Sequence, residues 1–246
     1  MNRLLFIIVF VVLCYQPVFS QPVIHSFVSS QFFRVNDLGK SREDYRDLMK
    51  DIQELMPLFA GKQPIFNHLF VGDSASPRLA LDEFGQISLQ TDSTSFVVLH
   101  FFSTWFKRRD EWNSEVSKGE VISLKYLEYF SEFIKPESGL IVLLSPANEG
   151  LLQDKMSESE FNLNGGKQLM IISYPADMSY FDAMKQYIKA LRSCTKDDEA
   201  DLNKDRVITF SERLLSLKKY LNERELSAVF YQLYPGTNPV IGVLDK

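Results

Sequence analysis

The sequence predicts an α/β domain: a mainly parallel sheet with helices on both faces. Three observations carry this expectation. Short apolar runs of strand length, Ser95 to Phe102, Gly139 to Leu144 and Leu169 to Ile172, recur between segments whose apolar residues repeat at helical spacing. Those runs are apolar at consecutive rather than alternate positions, which suits strands covered on both faces. Strands and helices also alternate along the chain, and parallel neighbours need crossover connections that helices supply.

Taken in order, Val23 to Arg34 is rich in Phe, Val and Ser and reads as a first strand. Ser41 with Asp44 resembles a capping box. Behind it Tyr45, Leu48, Met49, Ile52, Leu55 and Met56 form one apolar helical face, with Pro57 as the expected terminator. Ile65 to Val71 reads as a second strand turning at Gly72-Asp73. Ser76-Pro77 opens a short helix through Leu81 to Phe84 that Gly85 is expected to stop. Ser95 to Phe102 is the strongest strand signal in the chain. The charged stretch from Lys107 to Glu120 is expected to be a surface loop. Ser123 caps a helix carrying Leu124, Leu127, Phe130, Phe133 and Ile134 up to Pro136. Gly139 to Leu144 breaks at Ser145-Pro146, and Asn164-Gly165-Gly166 precedes the strand Leu169 to Ile172. A further helix over Ser179 to Leu191 buries Phe181, Met184, Ile188 and Leu191. After the turn-rich Tyr234 to Pro239, Val240-Ile241 is expected to add an edge strand.

The totals bound what this fold can do. With 246 residues, 45% of them hydrophobic and 20 of them Phe, the chain can bury one sizeable core. A net charge of -5 and a pI near 5.3 argue against a nucleic-acid partner, and Lys107-Arg108-Arg109 is too short a basic run to change that. Arg3, the apolar run Leu4 to Cys14 and the small residues of Val18-Phe19-Ser20 read as a signal peptide over residues 1–20, cleaved before Gln21. That run is shorter than the roughly twenty residues a membrane helix needs. The expectation is a single domain over 21–246, secreted or lumenal, with no membrane span after signal removal. Cys14 leaves with the signal, so Cys194 has no partner for an internal disulfide. It reads as a half-buried structural thiol, with an intermolecular or reactive role as the alternative, and Asp197-Asp198-Glu199 are expected to raise its pKa. No Asn-x-Ser/Thr acceptor is present.

One stretch implies a specific chemistry. In a twelve-residue EF-hand loop, oxygens come from positions 1, 3 and 5, a backbone carbonyl at 7, position 9 and a bidentate Glu at 12. Here those positions hold Asp201, Asn203, Asp205, Val207, Thr209 and Glu212, with Ile208 as the inward anchor. Position 6 departs from the pattern: Arg206 stands where Gly is usual, at a left-handed backbone cost of roughly 1 kcal/mol. The stretch from about 179 to 221 then reads as helix, calcium loop and helix. The expected ion is Ca²⁺, held weakly in the roughly 10⁻⁴ to 10⁻³ M range of extracellular modules. No zinc-ligand spacing, HExxH, GxSxG, GxGxxG or phosphate loop is present.

Two strand ends also merit reading, because working residues in open parallel sheets sit at carboxyl edges. They are His100-Phe101-Phe102-Ser103-Thr104-Trp105-Phe106 and Leu144-Ser145-Pro146-Ala147-Asn148-Glu149-Gly150. With the loop at Asp201 to Glu212, this order of elements resembles the caspase-like cysteine peptidases, the superfamily of caspases, metacaspases and legumains. The resemblance spans Val23 to Leu221 and implies a caspase-like three-layer sandwich. In that superfamily one strand ends in Ser-Gly-His-Gly and the next in Asp-Ala-Cys-x-Ser-Gly, which supply the base and the nucleophile. Carried over by position, Ser103 matches the motif's Ser and Gly150 its closing Gly. Trp105 stands where the His belongs and Ala147 where the Cys belongs. The resemblance therefore implies degenerate catalytic positions and a pseudoenzyme.

No other dyad replaces it. His100 and Ser103 lie three apart on a strand and point to opposite faces. His25, His68 and His100 sit inside apolar runs, where core histidines are usual. The leading expectation is a secreted, catalytically inactive caspase-like domain that binds an unidentified protein or peptide partner. The alternatives are a secreted EF-hand-type calcium binder unrelated to peptidases, and a hydrolase of unrecognised type.

Overall fold

The computed structural model describes residues 23–30, 40–61, 63–71, 77–92, 95–102, 105–108, 111–117, 120–126, 129, 138–146, 168–196, 200–231 and 240–244. In chain order the elements are β1 (Val23–Ser30), α1 (Arg42–Ala60), β2 (Gln63–Val71), α2 (Pro77–Gln90), β3 (Phe96–Phe102), β4 (Trp105–Arg108), β5 (Glu111–Ser117) and β6 (Glu120–Ser123). They continue with β7 (Ser138–Pro146), β8 (Gln168–Tyr174), α3 (Tyr180–Cys194), β9 (Val207–Thr209), α4 (Phe210–Asn222), β10 (Ser227–Tyr231) and β11 (Val240–Val243). The signal-peptide reading, the Gly72-Asp73 turn, Ser76, residues 130–137 with Pro136, Asn164-Gly165-Gly166 and Tyr234 to Pro239 lie outside the described residues.

Six strands form one sheet in the order β10-β8-β7-β3-β1-β2. The pairs β1–β2, β1–β3, β3–β7 and β7–β8 are parallel, and β10 runs antiparallel to β8. The chain steps from β1 outward to β2, then returns across β1 to β3. Right-handed crossovers in opposite directions put their helices on opposite faces. The side chains agree. On one face Phe96, Val98 and Phe102 join α1, α3 and α4 in the main core, while on the other the Phe84 ring of α2 meets Phe101, with centroids 6.0 Å apart. Phe210 at the start of α4 links the layers, lying edge-on to Phe96 at 4.7 Å and to Phe59 of α1 at 6.0 Å.

The capping box at Ser41 and Asp44 is formed in both directions. Hydrogen bonds from the Ser41 backbone and hydroxyl hold the Asp44 carboxyl below its ordinary range. This contribution is in place at neutral pH and is lost as pH falls through the carboxylate range.

Several sequence expectations are corrected. Pro57 does not end α1. It sits in the last turns, where its missing N–H and ring cost one ladder bond, and the full burial of Phe59 and Ala60 carries the helix on. The stop is Gly61, left-handed at φ 63, whose N–H reaches the Pro57 carbonyl. Gly85 likewise lies inside α2, because Ile87 beyond it is buried. The strand expected to break at Ser145-Pro146 runs through Pro146.

The charged stretch from 107 to 120 is not a loop. β4, β5 and β6 form a three-stranded antiparallel sheet. Trp105, Ser114 and Ile122 are cross-strand neighbours, all buried, with the small Ser114 making room between two large side chains. Residues 124–126 after β6 are helical, with the Tyr126 N–H donating to Ser123 Oγ at 3.4 Å; residues 127–128 and 130–137 of the expected helix lie outside the described residues. The last apolar segment pairs as β11 with β9, in a separate two-stranded sheet.

Gly85 is exposed and a Cβ there meets nothing within 4 Å. Gly85→Ala is expected to raise stability by about 0.5–1 kcal/mol, read as a higher denaturant midpoint with unchanged slope.

Candidate functional site

The register of β3 and β7 sets the candidate site. Phe102, the last residue of β3, pairs with Leu144, and β7 runs two residues further to Pro146. Trp105 lies three residues past Phe102, and position 147 three past Leu144. Trp105 thus follows the carboxyl end of β3, beside the carboxyl end of the neighbouring parallel strand β7. Ala147, Ser103, Thr104 and Gly150 themselves lie outside the described residues. Trp105 is fully buried as the first residue of β4, and its indole N–H has no hydrogen-bond partner among the described residues.

His100 is a core histidine. It is fully buried, its Nε2 lies 2.9 Å from the Tyr187 hydroxyl of α3, and its ring packs against Phe102. Burial raises the Tyr187 phenol well above its ordinary range, so that partner stays neutral. The Tyr180 hydroxyl donates to the Phe102 carbonyl, tying α3 to the end of β3. The side chains of His25 and His68 lie outside what is described.

Cys194 is fully buried rather than half-buried, with its thiol donating to the Leu191 carbonyl at 3.1 Å. Its pKa is pushed up to about 12, chiefly by burial and against the opposing Arg213 guanidinium; Asp197-Asp198-Glu199 lie outside the described residues. Arg213, unremarked in the sequence because it sits on an apolar helix face, is buried and donates to the Cys194 carbonyl. It thereby satisfies an orphan carbonyl at the end of α3.

The 201–212 loop has a definite shape. The Arg206 N–H donates to Asp201 Oδ2 at 2.9 Å, the Asp205 N–H to Asn203 Oδ1 at 2.9 Å and the Val207 N–H to Asp205 Oδ1 at 2.7 Å. Lys204 and Arg206 take left-handed backbone angles, φ 62 and 70. Arg206 thus adopts the conformation for which Gly is usual at position 6. Ile208 is fully buried. Thr209 and Glu212 form a capping box for α4, with Glu212 Oε2 accepting from the Thr209 N–H at 2.9 Å and hydroxyl at 2.8 Å. Glu212 Oε1 faces the Asn203 N–H at 3.4 Å.

As a test of fit to a hard cation, the donor set is all oxygen, which suits calcium. Asp201 Oδ1 is buried without a hydrogen-bond partner. Against this, among the described residues no three Asp, Glu, His or Cys side chains converge as a metal site. The carboxylates are turned instead to the loop's own N–H groups.

No family model and no curated protein matches the chain. Among solved structures, the Drosophila initiator caspase Dronc aligns with a TM-score of 0.51 at 8% identity, over 85% of this chain and 77% of that one. A protein from Geobacter sulfurreducens aligns at 0.49 and 10% identity, over 91% and 99% of the two chains. The pro-form of sf-caspase-1 aligns at 0.44 and 10%, over 83% and 80%. The fold is caspase-like. No helix among the described residues is long and apolar enough to cross a membrane.

Cys194 is expected to resist iodoacetamide at pH 8 in the folded protein and to react fully once unfolded. Mass spectrometry of the alkylated chain checks this, and rapid native labelling would contradict the buried, protonated thiol.

Proposed function

We propose that this chain is a secreted caspase-like domain, built as a three-layer sandwich, that lacks peptidase activity and works by binding a protein or peptide partner. The observation carrying the proposal is Trp105, fully buried immediately beyond β3 where the superfamily places its general base. An indole accepts no proton at neutral pH, and the methyl of Ala147, at the position matching the superfamily's Cys, offers no nucleophile. His100 does not substitute, since it is held inside the core by Tyr187. Cys194 does not substitute either, being buried and protonated. Localisation rests on the first twenty residues, which read as a signal peptide.

The mature protein is expected to give no turnover against a broad peptide library, with or without a thiol alkylator. Cleavage abolished by that alkylator would overturn the proposal.

The second part of the proposal is a weak structural calcium site at Asp201, Asn203, Asp205, Val207, Thr209 and Glu212. The buried, unpartnered Asp201 Oδ1 and the left-handed Arg206 support it. Glu212→Gln gives a clean test, because Gln at the third helical position preserves a capping box while removing the charge. Calorimetric titration is expected to show calcium binding that this variant abolishes, with the melting curve of the calcium-free protein little changed. Unaltered binding would exclude the loop as the site.

A further inference from the structure

We infer that the C-terminal strand β11 is a built-in clamp that holds the 201–212 loop in shape and sets its affinity for a divalent cation. The inference rests on the proposed reading of that loop as a cation site. β9, which spans loop positions 7 to 9, is only three residues long, and so short a strand does not hold itself without a partner. That partner is β11: Val240 pairs with Thr209, Gly242 with Ile208 and Val243 with Val207, in antiparallel register. Just beyond the ladder, the Leu244 N–H donates to the Arg206 carbonyl at 3.0 Å. This bond falls on the residue that carries the loop's one departure from the EF-hand pattern, an arginine at φ 70. The C-terminal segment therefore fixes the backbone where the sequence itself favours it least.

Beyond its ladder with β9, β11 is anchored to the main core through Ile241. Ile241 packs against the main core, while Val240 and Val243 are 56% and 70% exposed. The anchor meets the end of α1: a Cβ added to Gly61 would come within 1.9 Å of the Ile241 carbonyl oxygen, so only glycine allows that approach. Gly242 sits against the loop's inward anchor, with Ile208 Cδ1 at 3.2 Å from its would-be Cβ. A strand whose ladder partner is the loop itself exchanges free energy with the loop it clamps. By linkage, whatever β11 adds to cation binding, the cation returns to the attachment of β11.

The test compares the full mature chain, a chain ending at Asn238 and the full chain with Leu244→Pro, which deletes the donor to Arg206. Calcium affinity is read by calorimetry, and backbone hydrogen exchange is read over 201–212. Both changes are expected to weaken calcium binding by roughly 5–150-fold and to speed exchange over the loop. The point variant decides if the shortened chain fails to fold. Unchanged calcium affinity in Leu244→Pro overturns the inference. If the full chain binds no calcium, the cation reading fails and exchange alone decides the clamp: faster exchange supports it and unchanged exchange overturns it.

Discussion

The burial of β3 on both faces is the constraint on which the rest of this structure depends. All seven of its residues are buried, and parallel neighbours β1 and β7 fill both of its edges. A strand in that position has no solvent face, so every side chain along it must find a packing partner. Phe96, Val98 and Phe102 find theirs in the layer of α1, α3 and α4, and Phe101 in α2. The one polar residue in the strand, His100, is admitted because Tyr187 meets its Nε2.

That constraint carries through to the site. Because β3 and β7 run side by side in the same direction, whatever follows Phe102 emerges beside whatever follows Leu144. In the caspase-like plan this edge holds a base and a nucleophile. Here the chain turns from β3 into β4 and spends its first residue there, Trp105, on filling space across from Ser114 and Ile122. Trp105 is thereby part of the packing of a small second sheet. The same economy appears in the loop at 201–212, where Glu212 caps α4 and Arg213 closes the end of α3.

Much of this was legible in the residues, for physical reasons that also explain the failures. Unbroken apolar runs mark buried strands whatever surrounds them, so β3 and β8 were readable, as was the capping chemistry at Ser41. Pro57 and Gly85 misled because local breaking tendency amounts to a few kcal/mol at most and burial of Phe59 or Ile87 outweighs it. The β4–β6 sheet was hidden by the many charged residues in its sequence, although Trp105, Trp112 and Ile122, all buried, were the signal of an inner face. The full burial of Cys194, which raises its thiol pKa most, depends on the packing of α3 against the core and leaves no mark in the acidic residues that follow it. β10 follows α4 with no glycine or proline to announce it, and no pattern in Ser227–Tyr231 singled it out. The loop's register was clear from residue types. What could not be read was that a segment some thirty residues downstream would pair with it.

The central claim is that Trp105 and Ala147 occupy the paired catalytic positions of a caspase-like sheet. Their separation in a crystal structure of the mature chain tests it most directly. The account predicts that the two Cα atoms lie within about two strand spacings, about 10 Å, at the carboxyl edge of β3 and β7. Wide separation, or a His or Cys side chain from elsewhere in the chain standing between those strand ends, would contradict it.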